Sequence, residues 1–255
     1  MSPASALLFD LGNTRIKAAL GVGDRLQGQA AFAFADADCW ERVGDWLDAH
    51  AGRAAAARLA CVTRPARRTR LRGLLRQRGL AVHEAGPPAS DDLLQLAYPK
   101  PERMGVDRWL ALRALRRRLD GGFVLACCGS ALTVDTVSAS GRHLGGVIAP
   151  APERALEALR RRARHLPEPD GPVTPFAIDT GSALRSGALL AAQGLIEHVL
   201  HAAETELGAP LRLVLAGGGA AALLPGLQAR ASLREHAVLE GLADWAAGQL
   251  LPGPA

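Results

Sequence analysis

A carboxylate, a glycine–asparagine pair and a hydroxyl follow one another near the start of the chain and could together bind a phosphate group. Residues 6–9 are apolar and predict a short buried strand, which leads into Asp10. Gly12 and Asn13 tolerate the left-handed backbone angles of a tight hairpin turn, and Thr14 adds a hydroxyl. Such a turn presents backbone N–H groups to phosphate oxygens, while Asp10 could hold magnesium, which prefers carboxylates together with water and substrate phosphates. The alternative is an ordinary hairpin in which Asp10 only accepts hydrogen bonds from the turn.

A second turn of the same chemical type lies in the second half of the chain. Gly129 and Ser130 separate two apolar segments, and Asp135 lies on the second of them. Glycine-rich turns come later, at residues 145–146 and 217–219, where the backbone can approach a ligand closely. Each glycine cluster alone is explained by a structural turn, but two hydroxyl-bearing turns with aspartates and a late glycine turn form a more specific order. This order resembles the ATP-binding core shared by actin, the 70-kilodalton heat-shock proteins and sugar kinases.

An acid and an arginine stand side by side at the predicted start of a helix in the middle of the chain. Asp107 could accept the proton of a hydroxyl group, and Arg108 could hold a carboxylate through two parallel hydrogen bonds. Gly105 lets the backbone come close to a ligand. Phosphoryl transfer requires little beyond positioning, metal charge and an aligned hydroxyl. The alternative is that Asp107 only complements the helix dipole and that Arg108 is a surface residue.

Apolar periodicity predicts strands and helices that alternate along the chain and position these residues. The predicted strands are residues 6–11, 16–22, 29–34, 58–62, 80–83, 123–127, 131–137, 144–148 and 211–215. The predicted helices are residues 39–51, 67–78, 106–119, 153–166, 182–207, 220–230 and 242–250. We therefore expect an α/β protein with the two-lobed ATPase fold of actin, heat-shock proteins and sugar kinases. The N-terminal lobe would be residues 1–118 and the C-terminal lobe residues 119–255, with ligands in a central cleft.

The composition is that of a globular protein rather than a membrane protein. Of the 255 residues, 49% are hydrophobic and 22% are charged. Charged residues interrupt every apolar run before it reaches the roughly 18–20 residues that a membrane span needs. The first residues lack the basic and apolar segments of a secretory signal. The four cysteines have no metal-ligand spacing, and two of them, Cys127 and Cys128, are adjacent. We therefore expect a cytoplasmic protein that does not enter a membrane.

The net charge of +5 comes mainly from arginines, which are concentrated at residues 64–78, 113–118 and 154–164. Because these arginines alternate with alanine and leucine at helical spacing, they predict the solvated faces of amphipathic helices. Only 4% of the residues are aromatic, and the sequence shows no cluster of arginines among aromatic side chains. We therefore expect no platform for stacking single-stranded nucleic acid and no nucleic-acid partner.

These motifs together resemble type III pantothenate kinases over nearly the whole length of the chain. The matching segments are Asp10 to Lys17, Tyr98 with Gly105 to Arg108, Gly129 to Ala131 with Asp135, residues 145–150, Thr180 to Gly187, and Gly217 to Gly219. The resemblance implies transfer of phosphate from ATP to the primary hydroxyl of pantothenate, which yields 4'-phosphopantothenate in the first step of coenzyme A biosynthesis. It also implies a magnesium-dependent cytoplasmic homodimer in which the substrate pocket borders the dimer interface.

The resemblance assigns a role to each matching residue. The nucleotide-binding residues would be Asp10, Gly12, Asn13, Thr14, Lys17, Ser130, Asp135, Gly217 and Gly218, with Asp10 organising the magnesium ion. The pantothenate-binding residues would be Tyr98, Gly105, Val106, Asp107, Arg108 and Thr180, with Asp107 as the general base. On physical grounds, strand alternation directs Lys17 away from Thr14. Ser130 replaces a threonine of the family but keeps the hydroxyl.

Two positions depart from the family pattern. Cys127 stands two residues before Gly129, where the family usually has an aspartate that helps to bind a monovalent cation. A neutral thiol has little affinity for hard cations, so we expect no dedicated K+ or NH4+ site there, although activity could respond to cations bound elsewhere. Ala151 stands where a glycine usually follows the proline of the Gly–Gly turn, which predicts a modest change in loop shape.

The sequence leaves two other functions open. A regulatory homologue that kept the fold but lost turnover would fit Cys127 and the arginine-rich surface. A kinase of another small hydroxylated acid could use the same cleft, because analogy of fold does not by itself fix the substrate.

Overall fold

The computed structural model describes residues 5–23 and 25–248. Its strands are β1 (Ser5–Leu11), β2 (Arg15–Val22), β3 (Arg25–Ala33), β4 (Ala56–Cys61), β5 (Ala81–Glu84), β6 (Phe123–Cys128), β7 (Ala131–Val137), β8 (His143–Pro150), β9 (Arg212–Ala216) and β10 (Ala231–Leu233). Its helices are α1 (Cys39–His50), α2 (Pro65–Gln77), α3 (Val106–Arg118), α4 (Pro152–Arg162), α5 (Thr180–Leu207), α6 (Ala220–Leu223) and α7 (Ala237–Gly248). Over these described ranges, none of the helices combines the length and the apolar character of a membrane span.

These elements form two compact units. The first unit comprises residues 5–23, 25–118 and 236–248, and the second comprises residues 119–235. The first contains a five-stranded sheet in the order β3-β2-β1-β4-β5, and the second contains one in the order β10-β9-β6-β7-β8. In each sheet three consecutive strands pair antiparallel, a fourth strand adds in parallel to the first of them, and a fifth adds in parallel to the fourth. The two sheets therefore share one topology.

Strand alternation places Asp10 on the face of the first sheet opposite to the α1 and α2 core. Leu7 and Phe9 lie in a cluster of buried residues with side chains of α1 and α2. Asp10 has the opposite parity and shares its face with Arg58 of β4, which pairs across from Leu8. The Arg58 guanidinium lies 5.7 Å from the ring centre of Trp245 in α7, so α7 covers this second face.

The long helix α5 organises the core of the second unit. It begins after Asp179, whose carboxylate accepts a hydrogen bond from the Ser182 N–H at 2.8 Å, as an N-cap does. It ends at Gly208, whose φ of 62° is the left-handed conformation that closes many helices. Between these ends, Ile196 packs with Val134 of β7 in the buried cluster under the sheet.

The end of the second unit differs from the sequence prediction. The predicted helix 220–230 stops at Leu223 as α6, and residues 224–226 form a single 3-10 turn. Pro225 explains the change, because proline lacks an amide hydrogen and cannot continue the helical bonding. The short strand β10, which follows, was not predicted, since three residues give too little periodicity to detect.

The last helix also differs from its prediction. It begins at Ala237 rather than at residue 242, and the predicted residues 249–250 lie outside the described residues. The sequence assigned this segment to the C-terminal lobe, whereas α7 packs against α3 and β1 of the first unit. One contact in this packing joins Arg118 Nη2 to Asp244 Oδ1 at 3.1 Å. The other predicted elements are present, with ends displaced by at most four residues, as in α4, which ends at Arg162 rather than at residue 166.

Candidate active site

The turn between β1 and β2, which we call the first hairpin turn (residues 12–14), is closed by a backbone hydrogen bond. The Gly12 N–H donates to the Arg15 carbonyl oxygen at 3.1 Å. Neither Gly12 nor Asn13 has a positive φ, so the prediction of left-handed angles in this turn is wrong. A Cβ on Gly12 would lie 3.4 Å from a backbone carbonyl oxygen, which is an ordinary contact. Neither backbone angle nor space therefore demands glycine here.

Three charged side chains of the first unit interact at the end of β1. Asp10 lies directly opposite Lys17 in the antiparallel pairing of β1 with β2, and opposite residues project to the same face. Burial raises the pKa of Asp10 to about 6, while the charge of Lys17 lowers this pKa and the charge of Asp107 raises it. Lys17 therefore acts on Asp10, and Asp107 is close enough to disfavour a second negative charge beside its own.

The first turn of α3 positions the Asp107 carboxylate. Its Oδ1 accepts a hydrogen bond from the Arg108 N–H at 2.9 Å. A Cβ added to Gly105 would lie 2.7 Å from the same oxygen and would displace it, whereas the backbone of Gly105 has no positive φ. An acid in a first turn also suits the helix dipole. Asp107 also interacts electrostatically with Asp10, so complementing the helix dipole is not its only interaction.

Arg108 is buried rather than exposed, so its interpretation as a surface residue is wrong. Only 6% of it is accessible to solvent, and its Nη1 donates a hydrogen bond to the Tyr98 hydroxyl at 2.8 Å. The guanidinium carbon lies 5.8 Å from the centre of the Tyr98 ring. A buried, preoriented guanidinium suits recognition of a carboxylate. The structure thus gathers five predicted residues at the start of α3, namely Tyr98, Gly105, Val106, Asp107 and Arg108.

A buried aspartate that sequence reasoning missed supports α3 from the preceding loop. Asp91 accepts a hydrogen bond from Trp109 Nε1 at 2.7 Å, and its side chain is 1% exposed. Arg113 Nη1 donates to Asp91 and, at 2.7 Å, to Asp92. These bonds fix the rotation of α3 about its axis. The only signal in the sequence was an Asp–Asp pair, which is too common to single out.

In the second unit, two turns lie at the same end of the sheet. We call them the second hairpin turn (Gly129–Ser130) and the glycine turn (Gly217–Gly219), and they follow the parallel neighbours β6 and β9. The Gly219 N–H donates to the Cys128 carbonyl oxygen at 3.0 Å. Gly217 has a φ of 89°, and a Cβ there would overlap the same carbonyl group. Glycine is therefore required at 217 both by backbone angle and by space.

The structure does not bring Asp135 to the second hairpin turn. Asp135 lies within β7, is 1% exposed, and its Oδ1 is 2.9 Å from Nε2 of the buried His143. A Cβ on Gly146 of β8 would overlap the Asp135 carboxylate. Gly146 thus makes room for a buried acid inside the sheet, whereas a Cβ on Gly145 would meet no atom within 4 Å.

Thr180 begins α5 and borders an apolar cavity of about 490 Å³ in the second unit. The cavity lies among β7, β8, α4 and α5, and its lining includes Leu132, Pro150, Leu156, Leu159 and Leu184. The same unit leaves Ile148, Phe176 and Ile178 exposed, by 64%, 86% and 100%.

The two positions that depart from the family pattern fit ordinary backbone. Cys127 is partly buried in β6, opposite Thr133 and beside Ala216 of β9. Ala151 has φ −63° and ψ 153°, a conformation open to any residue, so the loop does not depend on a glycine there. In the described part of the chain, no three His, Cys, Asp or Glu side chains form a group that could hold a metal ion.

Arginine and aromatic side chains that are far apart in the sequence meet on the first unit. The Arg67 guanidinium lies 3.7 Å from the Phe34 ring centre, and that of Arg70 lies 4.8 Å from the Trp40 ring centre. Each arginine covers one face of its aromatic ring. One face of each ring is therefore engaged in an intramolecular cation–π contact.

Solved structures confirm the predicted fold class. A Baf family transcriptional activator from Campylobacter jejuni superposes with a TM-score of 0.59 at 17% identity, covering 95% of this chain and 98% of that one. An activator of 2-hydroxyisocaproyl-CoA dehydratase from Clostridium difficile, with bound ADPNP, gives a TM-score of 0.52 at 8% identity, covering 98% and 100%. A polyphosphate/ATP-glucomannokinase from Arthrobacter sp. strain KM gives 0.50 at 17% identity, covering 96% and 99%. At such identities the likeness shows an α/β fold of the sugar-kinase and actin type and nothing more.

Sequence comparison identifies the family. A family model described as type III pantothenate kinase matches residues 6–202. The type III pantothenate kinase of Xanthomonas oryzae pv. oryzae (strain PXO99A) is 41% identical over 252 residues, which cover 97% of this chain and 100% of the relative. The resemblance first drawn from the motifs is thereby confirmed. The chain belongs to the type III pantothenate kinase family.

Proposed function

We propose that this protein transfers the γ-phosphoryl group of ATP to the primary hydroxyl of pantothenate, producing 4'-phosphopantothenate in the first step of coenzyme A biosynthesis. The observation that carries the proposal is the interaction of Asp10, Lys17 and Asp107 beside the buried Arg108. Family membership supplies the substrate class. The cluster supplies a carboxylate for a metal and a second carboxylate for a proton, which suits phosphoryl transfer.

Asp107 would act as the general base toward the pantothenate hydroxyl. Its carboxylate is held at the start of α3 by the Arg108 N–H and by the space that Gly105 leaves. Arg108, preoriented by its bond to the Tyr98 hydroxyl, would hold the carboxylate of pantothenate. Val106 and Thr180 would complete the substrate contacts, Thr180 through its hydroxyl.

Asp10 fits the role of a magnesium ligand. Its carboxylate is an oxygen donor of the type that magnesium prefers, and burial together with Asp107 disfavours its negative charge when no cation is near. When bound, magnesium would neutralise phosphate charge. Lys17 is a further cation on the same face, and it would hold Asp10 ionised for the metal.

The nucleotide phosphates would bind to backbone N–H groups and hydroxyls of the turns. In the first unit these are the first hairpin turn with Gly12, Asn13 and Thr14. In the second unit they are Ser130 with Gly217 and Gly218, which lie at one end of the same sheet. The close approach of Gly217 to Cys128 supports a turn shaped for a ligand. Asp135 is also proposed to contribute, although its buried bond to His143 leaves it farther along β7.

We further propose a cytoplasmic homodimer without a dedicated monovalent-cation site at Cys127. The apolar cavity beside Thr180 and the exposed Ile148, Phe176 and Ile178 support a second copy of the chain as the partner of this surface. Sedimentation measurements at micromolar concentration should give twice the monomer mass of 26.6 kDa. A monomer at that concentration would contradict the homodimer.

The decisive experiment is a kinase assay on the purified protein with ATP, magnesium and pantothenate. We expect 4'-phosphopantothenate to form. Phosphorus NMR monitors its formation with and without added K+ or NH4+. A panel of other small hydroxylated acids tests the alternative substrate class, and we expect pantothenate to be preferred. Absence of phosphorylation in every salt, together with binding to DNA at moderate salt, would favour the regulatory alternative instead.

A further inference from the structure

One arginine outside the predicted site reaches the first hairpin turn. Arg67 lies in the first turn of α2, and its Nη1 donates a hydrogen bond to the Asn13 carbonyl oxygen at 2.7 Å, across 54 positions of the chain. No pattern in the sequence links these two residues, because the contact depends on how α2 packs beside β1 and β2. This bond joins α2 to the turn that would bind phosphate.

The Arg67 guanidinium is itself held in place. It lies 3.7 Å from the Phe34 ring centre, and its Nη1 is 3.4 Å from the Thr63 hydroxyl oxygen. Phe34 also donates its backbone N–H to the Thr14 carbonyl oxygen at 2.9 Å. One residue, Phe34, thus supports both Arg67 and the hairpin turn, so the arginine and the turn form one connected arrangement.

The charge of Arg67 is not neutralised by an acid. In residues 5–23 and 25–248, no carboxylate lies within ion-pair distance of it. The acid nearest in the sequence that forms an ion pair, Glu84, pairs instead with Arg68 at 3.4 Å and with Arg72 at 2.5 Å. A positive charge therefore stands beside the turn while donating to a neutral carbonyl group.

We propose that Arg67 is a positioning residue for nucleotide binding, an inference that rests on the proposed function of the first hairpin turn. In a planar trans peptide the carbonyl and the following N–H point in opposite directions. By holding the Asn13 carbonyl toward α2, Arg67 fixes the Thr14 N–H in the opposite direction. The uncompensated charge of Arg67 would in addition favour an anion at the turn.

The test compares Arg67→Ala with Arg70→Ala by calorimetric binding of magnesium with a non-hydrolysable ATP analogue. Arg70 is a matched control, since it lies one turn along the same helix and stacks on Trp40 without contacting the turn. Because a hydrogen bond from a charged group is lost, we expect Arg67→Ala to weaken nucleotide binding about tenfold or more. Arg70→Ala should bind the analogue as the unmodified protein does.

Steady-state kinetics supply the readout that a merely structural role would not produce. Arg67→Ala should raise the KM for ATP about tenfold with the KM for pantothenate unchanged. Arg67→Lys, which keeps the charge and a hydrogen-bond donor, should recover part of the lost affinity for ATP. If the alanine variant does not fold, the lysine variant takes its place in the comparison. Unchanged nucleotide affinity in Arg67→Ala and Arg67→Lys, or an equal loss of affinity for both substrates, would overturn the inference. Nucleotide binding is measured without pantothenate, so failure of the proposed kinase activity is a separate outcome.

Discussion

The two sheets of this protein share one strand order but differ in the chemistry at the end of their first hairpin. In the first sheet the next-to-last residue of β1, Asp10, pairs with Lys17. The corresponding residue of β6 is Cys127, which pairs with Thr133. One hairpin therefore carries a carboxylate and an ammonium group, and the other carries a thiol and a hydroxyl. The same topology supports a charged site in one unit and a neutral one in the other.

The glycines of the two turns also differ, in backbone angle and in the space around them. Gly12 has neither a positive φ nor a crowded Cβ position, whereas Gly217 has both. The first hairpin turn is thus defined by the side chains around it, and the glycine turn by the close approach of its backbone to β6.

The largest effect should come from Asp107, whose role depends on charge. Asp107→Asn keeps the shape of the side chain but removes a proton acceptor, so we expect kcat to fall at least about 100-fold. Glu102→Gln, an exposed acid of the preceding turn, is the matched control and should leave kcat nearly unchanged. Retention of full activity by Asp107→Asn would remove Asp107 from the role of base.

The contrast between the two glycines can be tested directly by stability. Gly217→Ala forces a side chain into a left-handed backbone that already touches Cys128, and should lower the free energy of unfolding by about 2–3 kcal/mol. Gly12→Ala should lower it by less than about 1 kcal/mol, as for substitutions without strain. Urea unfolding of both variants gives the comparison. Equal losses would show that the two turns are not distinguished by backbone crowding.

A third effect concerns Asp10, whose ionisation is disfavoured by the fold. Because burial raises its pKa from 3.8 to about 6, the folded state binds a proton more tightly than the unfolded state does. Stability from this group is therefore present below about pH 4 and lost as the pH rises through about 6. Asp10→Asn should gain up to roughly 2 kcal/mol in unfolding free energy at pH 7 without magnesium, and no gain at pH 4.

The control for that measurement is Asp45→Asn, which alters an exposed acid of α1. It should show no comparable dependence on pH. Saturating magnesium and nucleotide should stabilise the unmodified protein and remove the advantage of Asp10→Asn, because the metal would bind the ionised carboxylate. An Asp10→Asn variant less stable than the unmodified protein at pH 7 without metal would contradict the charge-based view of the first unit.

The smallest effect is expected at Cys127, the counterpart of Asp10 in the second sheet. Cys127→Asp would supply a hard oxygen donor, so we expect K+ or NH4+ to stimulate its activity a few-fold more than that of the unmodified protein. Cys127→Ser, which stays neutral, is the control. Equal cation responses in all three proteins would show that this position does not set the cation dependence.

Local patterns in the sequence predicted most of the fold, and the exceptions have physical causes. The β1–β2 hairpin and α3 follow from apolar periodicity and from the residues that end each element. The predicted helix at 220–230 was cut short by Pro225, whose effect outweighed the alanine-rich sequence around it. The position of α7 depends on contacts such as Arg118 with Asp244, 126 residues apart, and no local pattern contains them.

The same distinction applies to the candidate site. Asp107 and Arg108 could be predicted as site residues, because an acid at a helix start can accept a proton and an arginine can bind a carboxylate. The burial of Arg108 and the bond of Arg67 to Asn13 could not be predicted from the sequence, because both depend on packing between distant segments. Asp91 likewise becomes notable only when Trp109 and Arg113 are seen to donate to it.

The most direct test of the account is a crystal structure of the protein with magnesium, a non-hydrolysable ATP analogue and pantothenate. We expect an Asp107 carboxylate oxygen at about 2.6–3.2 Å from the primary hydroxyl of pantothenate, with Asp10 at the magnesium ion. A bound pantothenate whose hydroxyl lies away from Asp107 would contradict it.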